Sequence, residues 1–588
     1  MQMRAYRTIM SIAAWLVMTW GTAQAQQATD VIHTIRQGET VYSIARTYQV
    51  TAESILSLNP SAASGIRAGD QLVIPQQRSN ATQPVFHTIK AGETLYRLGK
   101  NYNVAPDDIC KANPGLTAST FKAGMVIRIP QASPAAAQEA TPAPTTPQGL
   151  AGSRCREMHK VKRKETLYSI ARDYGISVEA LKAANPETTV AGHELKKGDF
   201  LCIPENTPAA QAPTQHTPTN EQILAQTQAK AAPRQHVRMG VILPFKGGSL
   251  DNKKMVEFYR GTLMAVDSLK RQGLSVDVYA YDSGKTPADM KNVVEQHPLS
   301  EMDLIIGPLY ADQIGALNTY CKQHDIRLVV PFSSLGDPVY QNPLYYAVNA
   351  PKAFVQAEAA RLSLQLFSKE QIILLDCNES TADGKAFFES LKKQGTEYGA
   401  TFATLHIEND EMQWLKAMNQ YKQNVIVPAS ADIRLLNKLL PKLKELAAAH
   451  PEYRISLVGY PEWQTYTGTL LEDFYRFNTY IYTPFYRNPL SASTSQFEHT
   501  YQRTFNETTL TSWPRFGMLG FDIAYFFLKG LSAQGDALEQ HVRQVAVTPY
   551  QHRLTFERTS NWGGFINTEM QFVHYSPDHQ IELIRLKK

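Results

Sequence analysis

The chain has 588 residues, with 59 lysines and arginines against 54 aspartates and glutamates and a formal net charge of +5 at pH 7. This length exceeds what one hydrophobic core supports, so three or more folding units are expected. The small net charge and the lack of a basic run in the sequence exclude a nucleic-acid-binding surface.

The first 25 residues are typical of a secretory signal peptide. Arg4 and Arg7 precede an apolar stretch at 8–20, and residues 23–25 read Ala-Gln-Ala, a small-x-small cleavage site. We predict cleavage after Ala25 and export of the mature chain to the periplasm or cell envelope. The alternative is an uncleaved anchor. We expect no membrane span after cleavage, because we identify no other run of membrane length in the sequence.

One stretch of sequence occurs three times, starting at His33, His87 and His159. Each copy opens with a short alternating strand, continues through two segments of helical periodicity, and closes with an apolar strand ending in Ile-Pro. A threonine precedes the first helix as a candidate cap, and Asn-Pro ends the second. The order strand, helix, helix, strand predicts a small α+β unit whose end strands pair antiparallel, with both helices on one face.

This pattern resembles the LysM domain. The residues that carry the resemblance are the Gly-Glu-Thr-[Val/Leu]-Tyr run, the Ser-Ile-Ala-Arg helix, the Asn-Pro stop and the final Ile-Pro. The resemblance implies binding of N-acetylglucosamine-containing glycans, mainly peptidoglycan and chitin, in a shallow groove. That groove would lie between the first strand–helix loop and the second helix–strand loop. The predicted domains span residues 31–75, 86–130 and 155–204.

The matching positions give the predicted groove residues of each copy. A glycine in the first loop lets the backbone approach a sugar closely. The third copy has Lys164 at this position, and its Cβ would restrict that approach. The alternative role is structural, since the threonine caps a helix and Asn-Pro ends one. The predicted glycan-binding residues are Gly38, Glu39, Thr40, Val41, Asn59, Pro60, Gly92, Glu93, Thr94, Leu95, Asn113, Pro114, Glu165, Thr166, Leu167, Asn185 and Pro186.

Segments rich in Pro, Ala, Thr and Gln separate the repeats from one another and from the rest of the chain. The predicted linkers are residues 131–152 and 205–233, with a shorter spacer at 76–85. Such composition buries no core and stays extended, so we expect the repeats to be separately tethered modules. Within the third repeat, Cys155 and Cys202 lie next to or within the two end strands and would form a disulfide if those strands are neighbours.

The remainder, from residue 235 to 588, alternates strands and helices and then repeats that alternation. This order predicts a two-lobed α/β domain with parallel sheets. It resembles the type I periplasmic-binding-protein fold of branched-chain amino-acid receptors. The residues that carry the resemblance are GVILPF at 240–245, IIGPLY at 305–310, VPFSS at 330–334 and GFDIA at 520–524.

In that family a small ligand lies between the lobes, at the carboxyl ends of the strands. The candidate cleft residues here are Tyr310, Ser333 and Ser334, and their alternative role is turn chemistry after a strand. Amino-acid receptors carry small hydroxyl residues after two strands, whereas one of those places here reads Leu309-Tyr310-Ala311. This departure disfavours an amino-acid ligand. The Gly-Pro-Leu run is also similar to the corresponding domain of outer-membrane activators of peptidoglycan synthases, which use the fold as an interaction surface.

The sequence contains neither a Gly-x-Ser-x-Gly elbow nor a His-Glu-x-x-His motif, and its histidines show no metal-ligand spacing. We therefore predict a non-enzymatic, exported envelope protein without cofactor or metal. Its repeats would bind peptidoglycan, and its C-terminal domain would recognise a small molecule or an envelope protein, with a role in regulating wall synthesis or remodelling. The alternatives are a wall-anchored solute receptor serving a transporter and a peptidoglycan hydrolase with an unrecognised site.

Overall fold

The computed structural model describes residues 31–75, 85–130, 155–162, 165–174, 176, 178–185, 197–204, 219–228, 230–333, 337–378 and 380–586. The predicted signal peptide, most of the predicted linkers, Lys164, Pro186 and Ser334 lie outside the described residues. The chain forms two compact units. One contains residues 132–223, and the other contains the first two repeats together with the C-terminal domain.

The first two repeats fold into the predicted order of elements, and the end strands of each pair antiparallel. In the first repeat, the side chain of Thr40 accepts the backbone N–H of Ser43 at 3.1 Å, which satisfies one of the otherwise unpaired donors at the helix start. The first repeat comprises β1 (Val31–Thr34), α1 (Val41–Tyr48), α2 (Ala52–Leu58) and β2 (Gln71–Ile74), and the second comprises β3 (Val85–Thr88), α3 (Leu95–Tyr102), α4 (Pro106–Ala112) and β4 (Val126–Ile129).

The third repeat lies in the other unit and has the same order of elements. Its end strands pair antiparallel, and a disulfide joins Cys155 to Cys202 across them. Its apolar core includes Val161, Ile170 and Leu181, which are all buried. The elements are β5 (Cys155–Lys160), α5 (Leu167–Asp173), α6 (Val178–Ala184) and β6 (Phe200–Pro204), and α7 (Asn220–Thr227) follows within the second predicted linker.

The C-terminal domain begins with a lobe built on a seven-stranded sheet. Its first five strands run parallel in the order 2-1-3-4-5, which is that of a doubly wound sheet with helices on both faces. Four of these strands are buried along most of their length, as expected for a parallel sheet, and the outermost strand, β8, is partly exposed. The elements are β7 (His236–Leu243), α8 (Leu250–Lys270), β8 (Ser275–Asp282), α9 (Pro287–Gln296), β9 (Leu304–Ile306), α10 (Ile314–Gln323), β10 (Arg327–Val330) and β11 (Tyr345–Ala347).

The chain then crosses to a second lobe, whose sheet again has its first five strands parallel in the order 2-1-3-4-5. The repetition of one topology in two lobes confirms the predicted fold class. The elements are α11 (Lys352–Phe367), β12 (Gln371–Asp376), α12 (Ala382–Tyr398), β13 (Thr401–His406), α13 (Glu411–Ala417), β14 (Asn424–Pro428), α14 (Ile433–Ala449), β15 (Ile455–Gly459), α15 (Thr469–Arg476) and β16 (Thr479–Thr483).

The last hundred residues return to the first lobe and then to the second, so the lobes are joined by three crossings. Two added strands complete each sheet, and the sequence patterns above do not predict these four strands. They are short and lie at the sheet edges. The elements are α16 (Ala492–Phe505), α17 (Phe516–Gln534), α18 (Leu538–His541), β17 (Phe556–Arg558), β18 (Phe565–Asn567), β19 (Gln571–Tyr575) and β20 (Ile581–Ile584).

Helix α17 opens a run, residues 516–544, that is the one stretch of described helix long and apolar enough to cross a membrane by length and composition. We did not expect a further run of this length after the signal peptide. However, 67% of its most apolar window is buried inside the domain, where Phe526, Phe527 and Leu531 belong to the core of the first lobe. This burial is typical of the core helix of a folded domain.

The first two repeats pack against the C-terminal domain. Trp562, in the loop between β17 and β18, is 4% exposed and contacts Tyr48 of the first repeat and Phe86 of the second, with ring centroids 6.0 and 5.1 Å away. The expectation of separately tethered modules is therefore wrong for these two repeats. Linker composition predicts an extended connection, but it carries no information on whether the connected surfaces bury aromatic side chains against each other.

Candidate glycan-binding loops and cavities of the C-terminal domain

A histidine fixes the first loop of every repeat through two hydrogen bonds. In the first repeat, one ring nitrogen of His33 bonds the hydroxyl of Tyr48 at 2.9 Å and the other bonds Glu39 at 2.8 Å. The same carboxylate accepts the backbone N–H of Arg36 at 2.7 Å, which closes the loop. The equivalent trios are His87, Tyr102 and Glu93 in the second repeat and His159, Tyr174 and Glu165 in the third.

These trios assign the predicted glutamates a loop-fixing role. Burial raises the pKa of Glu93, but the N–H of Lys90 and the ring of His87 outweigh it, so the pKa lies below its usual value. The carboxylate is therefore ionised at neutral pH and committed to its two donors. The role of the tyrosine was not predicted, although each copy has one 15 residues after its histidine. That spacing was the available signal.

The asparagine of each Asn-Pro pair is buried and pins the last strand. The side chain of Asn113 donates to the carbonyls of Ile109 at 2.7 Å and Arg128 at 2.6 Å, and it accepts the N–H of Arg128 at 2.8 Å. Asn59 and Asn185 make the equivalent three bonds. These side chains are committed to backbone groups, so they shape the second loop from within.

The remaining predicted groove residues differ in exposure. Thr94 is exposed and caps α3 by accepting the N–H of Arg97 at 3.2 Å, while Leu95 is fully buried in the repeat core. Pro60 and Thr166 are also exposed. The half-buried members of the predicted set are Gly38, Glu39, Thr40, Val41, Glu93, Pro114, Glu165 and Leu167.

The two described loop glycines share a backbone conformation but have different surroundings. Gly38 has φ +79° and Gly92 has φ +81°, both in the left-handed region that favours glycine. A Cβ added to Gly38 would lie 2.7 Å from Cδ2 of Phe354 in α11. At Gly92, no heavy atom of the described chain lies within 4 Å of that position. The first loop of repeat 1 is therefore covered by the C-terminal domain, and that of repeat 2 is open at its glycine.

The candidate cleft residues of the first lobe lie after adjacent parallel strands. Tyr310 follows β9 and is half-buried, and burial together with Asp251 raises the pKa of its hydroxyl. Ser333 follows β10 and lines a cavity of about 260 Å³ that is also lined by Tyr42 and Arg46 of the first repeat. The first repeat thus lies over the carboxyl edge of this sheet, where the resemblance placed a ligand.

A larger cavity, of about 480 Å³, lies at the carboxyl ends of β14, β15 and β16 in the second lobe. Hydroxyl groups and charged side chains line it. Asp432 caps α14 and pairs with Arg434, and burial with nearby Asp432 and Glu462 raises the pKa of the Tyr466 hydroxyl. The predicted cleft residues all belong to the first lobe, so none of them lines this cavity. The polar lining residues are Lys352, Gln356, Thr381, Ser430, Asp432, Tyr460, Glu462, Tyr466 and Tyr482.

Within the described ranges, no group of three or more His, Cys, Asp or Glu side chains is placed to hold a metal ion. Cys110 and Cys321 are buried thiols, and burial raises the pKa of both. These two cysteines therefore occupy apolar surroundings, as expected of small core residues.

The repeats match a known domain family. The LysM domain family model matches residues 33–75, 87–130 and 159–204. The probable peptidoglycan endopeptidase LytE of Bacillus subtilis is 25% identical over 171 residues, which cover 28% of this chain and 47% of that protein. The probable autolysin SsaALP of Staphylococcus aureus is 31% identical over 134 residues, covering 23% and 46%. The chain thus spans about half the length of these curated relatives.

Among solved structures, a putative branched-chain amino-acid ABC transporter protein from Rhodospirillum rubrum is 12% identical, with TM-score 0.44, covering 59% of this chain and 100% of that one. An ABC transporter substrate-binding protein from Desulfitobacterium hafniense, in complex with Leu, is 14% identical, with TM-score 0.37 and the same coverages. Likeness at this level has no bearing on the ligand. This chain contains three LysM domains followed by a two-lobed α/β domain with one doubly wound sheet in each lobe.

Proposed function

We propose that this chain is a non-enzymatic, exported protein of the cell envelope that binds peptidoglycan through its LysM domains and recognises a second ligand through its C-terminal domain. The observation that carries the first part is that the LysM family model matches three times, each match falling on a folded repeat. In each repeat the first loop is held by a histidine and a glutamate before any ligand arrives. Such preorganisation reduces the entropy lost on binding.

Several weak glycan sites on one chain strengthen retention on a polymer, because the second binding event becomes intramolecular. Peptidoglycan is such a polymer, with N-acetyl groups repeating along each strand. The amide and carbonyl groups of these N-acetyls suit the backbone groups of a tight loop. This chemistry supports a wall glycan over a soluble monosaccharide as the target of the repeats.

Sedimentation of the full chain with purified sacculi tests the proposal. We expect the chain to pellet with sacculi and to be released by N-acetylglucosamine oligomers. Glucose oligomers of equal length, which lack the N-acetyl group, are the control and should release none of it. Failure to pellet, or equal release by both oligomers, would contradict glycan recognition. Soluble fragments appearing on long incubation would favour the hydrolase alternative.

The second-lobe cavity supports a small polar molecule as the second ligand. Its volume of about 480 Å³ falls within the usual range for ligand sites, and its polar groups lie at the strand ends where this fold class binds ligands. A solute receptor serving a transporter is the alternative role for the same cavity. The carboxylates of Asp432 and Glu462 line this cavity, and they suit a ligand with an amino or hydroxyl group.

Thermal unfolding of the full chain against amino acids, nucleosides, sugars and wall fragments tests this second part. A ligand at a hundredfold its dissociation constant adds about 2.7 kcal/mol to the free energy of unfolding. The variant Ser430→Leu, which fills the cavity, should abolish the shift, while Ser493→Leu on the exposed surface should retain it. No shift across the panel would point to a protein partner.

A further inference from the structure

We infer that the first loop of repeat 1 is a docking surface for the C-terminal domain, and that repeat 2 is the glycan-binding repeat of the compact unit formed by the first two repeats and that domain. The docking half of this inference stands on contacts within the chain. The glycan half rests on the function proposed above. Together they divide two similar repeats between two tasks.

Three consecutive residues of the repeat 1 loop contact the C-terminal domain. Arg36 donates from its guanidinium to the carbonyl of Thr559 at 2.7 Å. Gln37 donates to the carbonyl of Ala357, in the second turn of α11, at 3.4 Å. Gly38 lies against Phe354, so closely that an added Cβ would be 3.0 Å from the Cα of that residue. Phe354 thus occupies the space that a side chain at position 38 would need.

Further along the same repeat, α1 contacts the first lobe. Arg46 forms an ion pair with Asp337, and Tyr42 and Ser43 line a cavity together with Tyr340. A second cavity, of about 330 Å³, remains between the repeat 1 loop and the domain. This volume is at the small end of ligand sites. A glycan strand laid along this loop would have to displace α11.

Repeat 2 contacts the C-terminal domain through its second loop, which follows Asn113 and Pro114, and not through its first loop. The N–H of Gly115 donates to the carbonyl of Asn561 at 2.7 Å, and the side chain of Asn561 donates to the carbonyl of Val126 at 3.0 Å. The loop around Gly92 is exposed, and its glutamate is fixed by His87 as in the other repeats. Repeat 2 therefore docks through its second loop, whereas its first loop is preorganised and open at Gly92.

The matched variants Gly38→Ala and Gly92→Ala separate the two tasks in the full chain. Both place alanine at the same positive φ, so the backbone strain is equal and only the surroundings differ. Gly38→Ala should expose α11, seen as at least tenfold faster hydrogen exchange at residues 354–358. Gly92→Ala should leave that exchange unchanged and weaken binding of the N-acetylglucosamine tetramer about tenfold, the loss expected for one hydrogen bond.

A third variant, Phe354→Ala, should open the repeat 1 loop and add one tetramer-binding site per chain in calorimetric titration. Equal loss of tetramer affinity in both glycine variants, with exchange unchanged in both, would overturn the inference. Exchange of residues 354–358 that is already fast in the natural chain would also overturn it. A chain that binds no tetramer would refute the proposed function and the glycan half of the inference. The docking half is tested by hydrogen exchange, which needs no glycan.

Discussion

Trp562 is the residue on which docking of the first two repeats depends most. It projects from the β17–β18 loop of the C-terminal domain, and it packs edge-on to Tyr48 and against Phe86 with only 4% of its surface exposed. The variant Trp562→Ala removes the one side chain of that loop that belongs to the apolar core of the first repeat. The lobes keep their own cores, so the loss should fall on docking.

The free-energy cost of Trp562→Ala follows from the area that the tryptophan side chain buries. A buried tryptophan removes about 150–250 Å² from water, which at about 25 cal/mol per Å² corresponds to about 4–6 kcal/mol as an upper bound. Replacement of buried aromatic residues by alanine costs about 3–5 kcal/mol. We therefore expect Trp562→Ala to weaken docking by about 3–5 kcal/mol, which is a factor of roughly 10² to 4 × 10³ in the docking equilibrium.

The amide of Gly115 reports on docking directly, because its acceptor is the carbonyl of Asn561 in the neighbouring domain. Its hydrogen exchange should accelerate by that same factor in Trp562→Ala. The control is Trp463→Ala, which removes a tryptophan that is fully buried in the second lobe and stacks on Phe474 at 5.4 Å. The control should lower the melting temperature and leave Gly115 exchange slow. Unchanged exchange in Trp562→Ala would refute the docking described here.

Other predictions concern the third repeat, the second repeat and the domain core. Reduction of the Cys155–Cys202 disulfide, which closes 47 residues, should lower the free energy of unfolding of the third repeat by about 4 kcal/mol, measured by denaturant titration with and without reductant. Asn113→Ala should destabilise repeat 2 by about 2–4 kcal/mol, because three backbone groups lose a buried partner. Calorimetry should show the glycan affinity of this variant falling with its folded fraction. Burial lowers the pKa of His552 to about 4. Burial also raises the pKa of Asp522 to about 7, although three backbone N–H groups that donate to its carboxylate act to lower it. Between pH 4 and 6.5 the unfolded chain protonates the histidine and the folded chain protonates the aspartate, so the two slopes cancel. In His552→Gln, the free energy of unfolding should therefore rise by up to about 1.4 kcal/mol per pH unit as the pH falls from 7 towards 4. In Asp522→Asn, the free energy of unfolding should instead fall as the pH drops below 6.5. Urea titrations at pH 7.0, 5.5 and 4.5 distinguish these opposite pH dependences.

The repeats could be predicted from sequence because their determinants are local. The threonine caps, the Asn-Pro stops and the strand periodicity act over a few residues, and each appears three times. The role of the loop glutamate was not predicted, because its partner His33 lies in the preceding strand and the second partner of that histidine, Tyr48, lies a helix away. Fifteen-residue spacing becomes meaningful only when the fold brings both rings together.

The C-terminal domain also has some elements that the sequence predicts and others that it does not. Strand and helix alternation predicts the two doubly wound sheets, since each element is long and periodic. The strands β17 to β20, added in pairs to one side of each sheet, hold three to five residues each and carry little periodic signal. Their pairing is therefore decided by the sheets that they join. Asp522 shows the same limit. It belongs to the GFDIA run at 520–524, which carries part of the resemblance to the fold. Its carboxylate accepts the backbone N–H groups of residues 550–552, and only tertiary packing brings these residues near it.

The candidate site illustrates a further limit. Gly38 and Gly92 are both followed by Glu-Thr and have nearly equal φ, and both fit a close approach to a glycan. Contacts with the C-terminal domain, including Phe354 more than 300 residues away in the chain, separate them. A repeat motif therefore predicts what a loop is able to contact, while the surrounding domains decide what it does contact.

Calorimetric titration of the full chain with the N-acetylglucosamine tetramer tests the central claim most directly, because it measures glycan recognition without an insoluble polymer. Glycan recognition by the LysM domains predicts saturable binding of the tetramer and no binding of the glucose tetramer, which has the same length and lacks the N-acetyl group. It also predicts that Gly92→Ala lowers the tetramer affinity. No detectable binding of the N-acetylglucosamine tetramer, or equal binding of both tetramers, would contradict the claim that the LysM domains of this chain recognise a wall glycan.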